Sequence, residues 1–176
     1  SFDLVSVLFR DILLPLILIY ILILPIFGKF IRIEKIFFNY KFSLKEIFLL
    51  WGCQIISVLI FVNLVLKNFW GRGRPNDVIE LGGKEIFSPW YEMSNACETN
   101  CSFVSGDASV GFSIIILYLI TKKTVFLYAS FIAGLVLGLI RIMAGGHFLS
   151  DVFFAGFFIV TLNIILFKLY EKYYAK

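Results

Sequence analysis

Histidine occurs once in the 176 residues, at His147, and Asp151 follows four positions later. That spacing puts both side chains on one face of a helix. A carboxylate on Nδ1 fixes the imidazole tautomer and makes Nε2 a better nucleophile. Four cations accompany the pair: Lys67, Arg72, Arg74 and Arg141. Arginine suits bidentate contact with phosphate oxygens. Ser105-Gly106 reads as a helix start, where free N–H groups and the positive dipole end favour an anion. Gly106 permits close backbone approach. An anion cradle beside an oriented histidine suits phosphoryl transfer. Each piece alone has a plainer reading. A basic cluster beside an outer interface is commonly a headgroup-binding rim. His147 could be merely interfacial, Asp151 a helix-start carboxylate, and Ser105 and Asp107 ordinary N-caps. The joint occurrence on one face points to chemistry.

The elements that must hold these residues are apolar. The chain is 60% hydrophobic and 16% charged, with a mean hydropathy of +0.94. Soluble domains carry roughly a quarter charged residues, and a soluble ball of this size could not hide so much Phe, Ile and Leu. This excludes a disordered chain, a disulfide scaffold and a soluble nucleic-acid binder. What remains is an all-α, polytopic membrane helix bundle forming a single domain over residues 1–176. Five uncharged runs (12–28, 47–66, 108–121, 124–140 and 152–167) predict about five spans. The third and fifth reach the ~20 residues a span needs only if Asp107 and Asp151 lie just inside their helix starts. Ionisable residues there are functional candidates. Residues 1–10 and 30–45 mix aromatic, aliphatic and basic side chains and read as helices in the headgroup layer. Gly134 and Gly138 form a GxxxG that permits close helix packing.

Ten of the 16 basic residues fall in the loops after the first span, between the third and fourth, and at the end of the chain. That side is expected to be cytoplasmic. Residues 67–105 and 141–151, which carry all the candidate chemistry, then face outside. The chain opens on Ser1, without an initiator Met or a signal-peptide pattern. A processed start or an upstream segment is therefore expected. Cys53 reads as a small core residue. Cys97 and Cys101 lie in the outer loop, one helical turn apart, and an oxidising compartment would favour a bridge between them. A zinc site wants four Cys/His-type ligands, and the single histidine is far away in sequence.

Three signatures resemble those of the type-2 phosphatidic acid phosphatase family of membrane lipid phosphatases. Lys67-x6-Arg74-Pro75 matches its Lys-x6-Arg-Pro motif fully. Val104-Ser105-Gly106-Asp107 matches the centre of Pro-Ser-Gly-His. Arg141-x5-His147-x3-Asp151 matches Ser-Arg-x5-His-x3-Asp, with Ile140 in place of the serine. The resemblance covers about half the chain, residues 66–151. It implies that His147 is the nucleophile of a phosphohistidine mechanism and that Asp151 orients it. It also implies that Lys67, Arg74, Ser105, Gly106 and Arg141 hold the phosphoryl oxygens. No metal and no cofactor is expected, and the partner is a phosphorylated membrane lipid. Arg72 joins the phosphate ligands on charge and proximity alone.

The main departure is Asp107, where the family has the histidine that protonates the leaving oxygen. Three readings stay open: a working acid, an inactivating substitution, or a leaving group that needs little protonation. The first is preferred; burial or a neighbouring carboxylate can keep such an acid protonated. The compact size and the Cys-x3-Cys-Ser-Phe-Val-Ser-Gly context look like bacterial envelope members of the family, with the site on the periplasmic face of the inner membrane. Lipid A 1-phosphate is the preferred substrate. Phosphatidylglycerophosphate and undecaprenyl diphosphate are the alternatives. Phe87, Trp90 and Tyr91, in the long outer loop, are expected to rest at the interface. Outside this class stand a non-enzymatic lipid-binding protein that kept the cradle and lost the acid, and a small channel. The channel would need polar residues at the midplane, and the spans offer only isolated Gln54, Asn63 and Asn163.

Overall fold

In the computed structural model, the backbone of residues 2–30 and 40–174 is described, and the side chains of 11–27 and 40–174. Each of the five apolar runs lies on helix. Helix α1 (Phe2–Leu22) is followed by a short α2 (Leu24–Phe30). The break falls where Pro25, lacking an N–H, cannot continue the ladder. Helix α3 (Leu44–Cys53) passes into π-helical winding over Gln54–Leu66 and ends in the turn α4 (Lys67–Phe69). Helices α5 (Gly106–Phe112) and α6 (Ile115–Thr121) form the third run. Helices α7 (Thr124–Met143) and α8 (Leu149–Tyr174) complete the bundle. Among the described residues there is no strand, only an isolated bridge between Val78 and Glu85.

Among the described residues three helices, Leu44–Phe69, Thr124–Met143 and Leu149–Tyr174, are long and apolar enough to cross a membrane; Asp11–Phe27 and Gly106–Thr121 are shorter apolar helices. The outward faces carry Phe48, Ile132, Phe153 and many other large apolar side chains, as a bundle solvated by lipid requires. Phe2–Arg10, expected as a separate helix in the headgroup layer, instead runs on into α1 as one helix. Most of the second such segment lies outside the described residues.

Helix α5 is the hub. It packs on α1, α7, α8 and the π-helical segment, and all its residues but Asp107 are buried. Small side chains permit this. A Cβ on Gly111 would strike the backbone of α7 at Ala133–Gly134, one on Gly134 the ring of Phe112, and one on Gly138 the side chain of Val152. The GxxxG is thus used inside one chain. Where α5 gives way to α6, Ser130 Oγ of α7 donates to the Phe112 carbonyl oxygen at 2.6 Å. A helix break away from water needs such a partner.

Candidate active site

Both sequence-expected carboxylates lie in first helical turns, Asp107 in α5 and Asp151 in α8. Ser105 caps α5 by accepting from the Ala108 N–H, so the plain N-cap reading of this residue holds locally. The two helix starts are tied together, because the Ser105 N–H donates to the Asp151 carbonyl oxygen at 3.1 Å.

His147 precedes α8 and is 2% exposed. Its Nδ1 lies 2.7 Å from the carbonyl oxygen of Ser102. A carbonyl can only accept, so Nδ1 carries the proton and the Nε2 lone pair is free. Asp151 Oδ2 is 3.7 Å from Nδ1, beyond hydrogen-bond range. The expected direct orientation by Asp151 is therefore indirect. Its Oδ2 instead accepts from Ser102 Oγ at 2.5 Å and from the Phe148 N–H at 2.8 Å. One carboxylate oxygen thereby fixes the residues on either side of the imidazole contact. Burial lowers the His147 pKa from its ordinary 6.5; nearby Asp151 opposes this, and Lys67 and Arg74 push further down. The ring is therefore neutral at pH 7, as a nucleophile must be.

Arg72 departs from its expected role as a phosphate ligand. Its Nη1 lies 2.5 Å from Asp151 Oδ1 and 2.8 Å from Ser150 Oγ, and its Nε donates to the Ser88 carbonyl oxygen. The guanidinium stacks 4.2 Å from the ring centroid of Phe148 and is 2% exposed as a residue. Its charge is spent on Asp151. Charge and proximity in sequence could not distinguish this buried partner from a phosphate.

The remaining cations converge. Arg74 Nη2 donates to the Asn100 carbonyl oxygen at 2.8 Å, and Lys67 Nζ to Asn100 Oδ1 at 3.0 Å. A Cβ on Gly106 would stand 3.2 Å from both Lys67 Nζ and Asn63 Oδ1. Only glycine leaves the ammonium this close to the start of α5. Arg141 Nε lies 3.2 Å from Asp107 Oδ2, with both side chains partly exposed. The Arg141 guanidinium also packs on Gly146, next to His147. Gly145, at φ +65°, accepts from the Asn76 N–H and so fastens the Arg74-Pro75 segment to the His147 loop. All three signatures are joined by direct contacts.

Asn100, Ser102 and Asn63 were not singled out as site residues from sequence. The signal for the first two was their place beside the Cys pair and Ser105. Cys97 and Cys101 form a disulfide with Cα atoms 5.6 Å apart, and the Cys101 N–H donates to the Lys67 carbonyl oxygen. The bridge closes a small ring that contains Asn100. Of the loop aromatics, Trp90 packs on Phe154 at 4.4 Å and Phe87 on Phe148 at 5.4 Å, while Tyr91 is largely exposed. Among the described residues no group of three or more His, Cys, Asp or Glu side chains gathers as a metal site.

Known proteins resemble this chain over most of its length. A lipid A 4'-phosphatase of Francisella tularensis subsp. novicida (strain U112) is 39% identical over 163 residues, covering 90% of this chain and 72% of the relative. Lipid A 4'-phosphatases of Rhizobium leguminosarum and Rhizobium etli are 36% and 34% identical over 104 residues, covering 57% of this chain and 45% and 40% of theirs. No solved structure matches. The family model described as the PAP2 superfamily matches residues 48–174, which include all three signatures. With a domain match over most of its length, and with the three signatures in mutual contact, the chain belongs to the PAP2 superfamily.

Proposed function

We propose that this protein is a bacterial inner-membrane lipid phosphatase that removes the 4'-phosphate of lipid A at the periplasmic face. The observation that carries the reading is the bond between His147 Nδ1 and the Ser102 carbonyl oxygen, which leaves Nε2 as the lone-pair atom of a neutral imidazole. Nε2 attacks phosphorus and the bond from phosphorus to the lipid oxygen breaks. Asp107 gives that oxygen a proton. Water then attacks the phosphohistidine, Asp107 takes the water's proton, and inorganic phosphate leaves. Lys67, Arg74 and Arg141, with the Ser105 hydroxyl and the Gly106 N–H, hold the three phosphoryl oxygens. Asp107 pairs with Arg141 in the resting site. A phosphate draws Arg141 to itself, and the Asp107 carboxylate takes up from solvent water the proton that it then gives to the lipid oxygen.

The choice of the 4'-phosphate rests on similarity to the three lipid A 4'-phosphatases and replaces the 1-phosphate preferred from sequence. Phosphate release should be measured in detergent from lipid A, phosphatidylglycerophosphate, phosphatidic acid and undecaprenyl diphosphate, with EDTA present and His147→Ala as blank. Mass spectrometry of the lipid A product assigns the position lost. The expected product lacks the 4'-phosphate and retains the 1-phosphate. Loss of the 1-phosphate, or release only from another lipid, overturns the specificity.

A further inference from the structure

Asn100, Cys101 and Ser102 are consecutive, yet they serve different parts of the candidate site. Ser102 is buried and serves the nucleophile: its carbonyl meets His147 Nδ1 and its hydroxyl meets Asp151. Asn100 is exposed and serves the phosphate ligands: its Oδ1 accepts from Lys67 Nζ at 3.0 Å and its carbonyl oxygen from Arg74 Nη2 at 2.8 Å. Cys101, between them, is buried and bonded to the partly exposed Cys97. Lys67 and Arg74 bring two like charges to one residue, and like charges repel while no anion lies between them. The two oxygens of Asn100 offset that repulsion and keep the pair set for a phosphate. To do so Asn100 adopts φ +52°, which the loop must impose on a non-glycine residue. Main-chain bonds fasten this loop at Ser94, to the Trp70 carbonyl, and at Cys101, to the Lys67 carbonyl. Between those points the Cys97–Cys101 bridge closes the chain around Asn100. A ring spanning four positions removes little freedom from the unfolded chain, because disulfide stabilisation grows with loop length. Its effect lies in what the ring holds.

We propose that the Cys97–Cys101 bridge sets the phosphate affinity of the site. Closed, it holds Asn100 against Lys67 and Arg74; opened by a dithiol, it lets this shared anchor move away. The inference rests on the phosphatase reading for the identity of the anion as a substrate phosphate. A thiolate of the dithiol attacks the sulfur of Cys97, the more exposed of the two residues, and the S–S bond breaks with the Cys101 sulfur as leaving group. The second thiol of the reductant then displaces Cys97. Two electrons and two protons pass from the dithiol to the bridge, leaving Cys97 and Cys101 as thiols and the reductant as a disulfide. Ser102 lies outside the ring and keeps its own bonds to Arg72, His147 and Asp151. The nucleophile therefore stays set while the phosphate ligands loosen, and reduction acts on KM and not on kcat.

The test uses the full chain in detergent, with and without dithiothreitol. Mass spectrometry after alkylation of the denatured protein confirms that the bridge is open. Calorimetry measures the binding of inorganic phosphate, and turnover of lipid A gives kcat and KM. Opening the bridge should weaken phosphate binding and raise KM, each roughly tenfold, with kcat and the melting temperature little changed. Cys97→Ser should match the reduced protein without reductant and respond no further to it. In Asn100→Gly, where the contact to Lys67 is already gone, reduction should have a much smaller effect. Phosphate binding that ignores an opened bridge overturns the proposal, as does a loss confined to kcat and the melting temperature, or undiminished sensitivity in Asn100→Gly. Phosphate binding that responds to reduction without any turnover sinks the phosphatase reading and keeps the role of the bridge; turnover with a KM blind to reduction does the reverse.

Discussion

Arg72 and Asp151, 79 residues apart, form a buried ion pair at 2.5 Å directly behind the candidate nucleophile. Removing one partner leaves the other charge buried and unpaired. Arg72→Met and Asp151→Asn are each expected to cost about 3–5 kcal/mol. The double variant should cost less than the sum, with a coupling of roughly 0.5–3 kcal/mol. Thermal unfolding in detergent measures all three. Arg72→Lys separates positioning from phosphate binding: kcat should fall with KM little changed, whereas a phosphate ligand would raise KM.

His147 is the only histidine, so its imidazole resonances need no assignment by elimination. Burial favours the neutral ring, so its pKa in the folded protein should lie below the ordinary 6.5. The sign for stability follows. The unfolded chain binds the proton more readily, so stability from this group is present above 6.5 and is lost as pH falls through the lower folded value. NMR titration of the imidazole checks this, and a midpoint at or above 6.5 contradicts it.

Asp107→Asn keeps the size of the side chain and removes the transferable proton. With lipid substrate it should lower kcat by about 10²–10⁴ and leave KM nearly unchanged. With p-nitrophenyl phosphate, whose leaving group needs little protonation, the loss should be much smaller. An equal loss on both substrates assigns Asp107 to holding Arg141 and not to proton transfer.

Asn100 sits at φ +52°, a region asparagine tolerates better than most residues. Its side chain holds Lys67 and its carbonyl holds Arg74. Asn100→Gly keeps the backbone and removes the Lys67 contact, so KM should rise several-fold while the melting temperature barely moves. Asn100→Val also adds backbone strain, so KM should rise and the melting temperature should fall.

The parts of this site legible from sequence depend on short spacing. Cys97 with Cys101, and the helix starts at Gly106 and Leu149, each lie within one turn or one capping motif; His147 and Asp151 are as close in sequence, but His147 stands before α8 and not on a shared helix face, and its Nδ1 meets the Ser102 carbonyl. The apolar runs foretold the helices for the same reason, since lipid requires every backbone group to be satisfied locally. The contacts that escaped are the long-range ones. Nothing near Arg72 names Asp151 as its partner, and no pattern around His147 reveals that the Ser102 carbonyl, 45 residues earlier, accepts the hydrogen bond from its Nδ1. The π-helical winding below Lys67 was equally hidden, because the apolar pattern of residues 47–66 fits an ordinary helix.

If Nε2 of His147 accepts the phosphoryl group, the phosphorylated peptide can be caught directly. Protein given ³²P-labelled lipid A should be quenched in base, digested and sequenced by mass spectrometry. A base-stable, acid-labile phosphate is expected on the peptide that carries His147, and none in His147→Ala. Undiminished turnover in His147→Ala, or label on another residue, would contradict it.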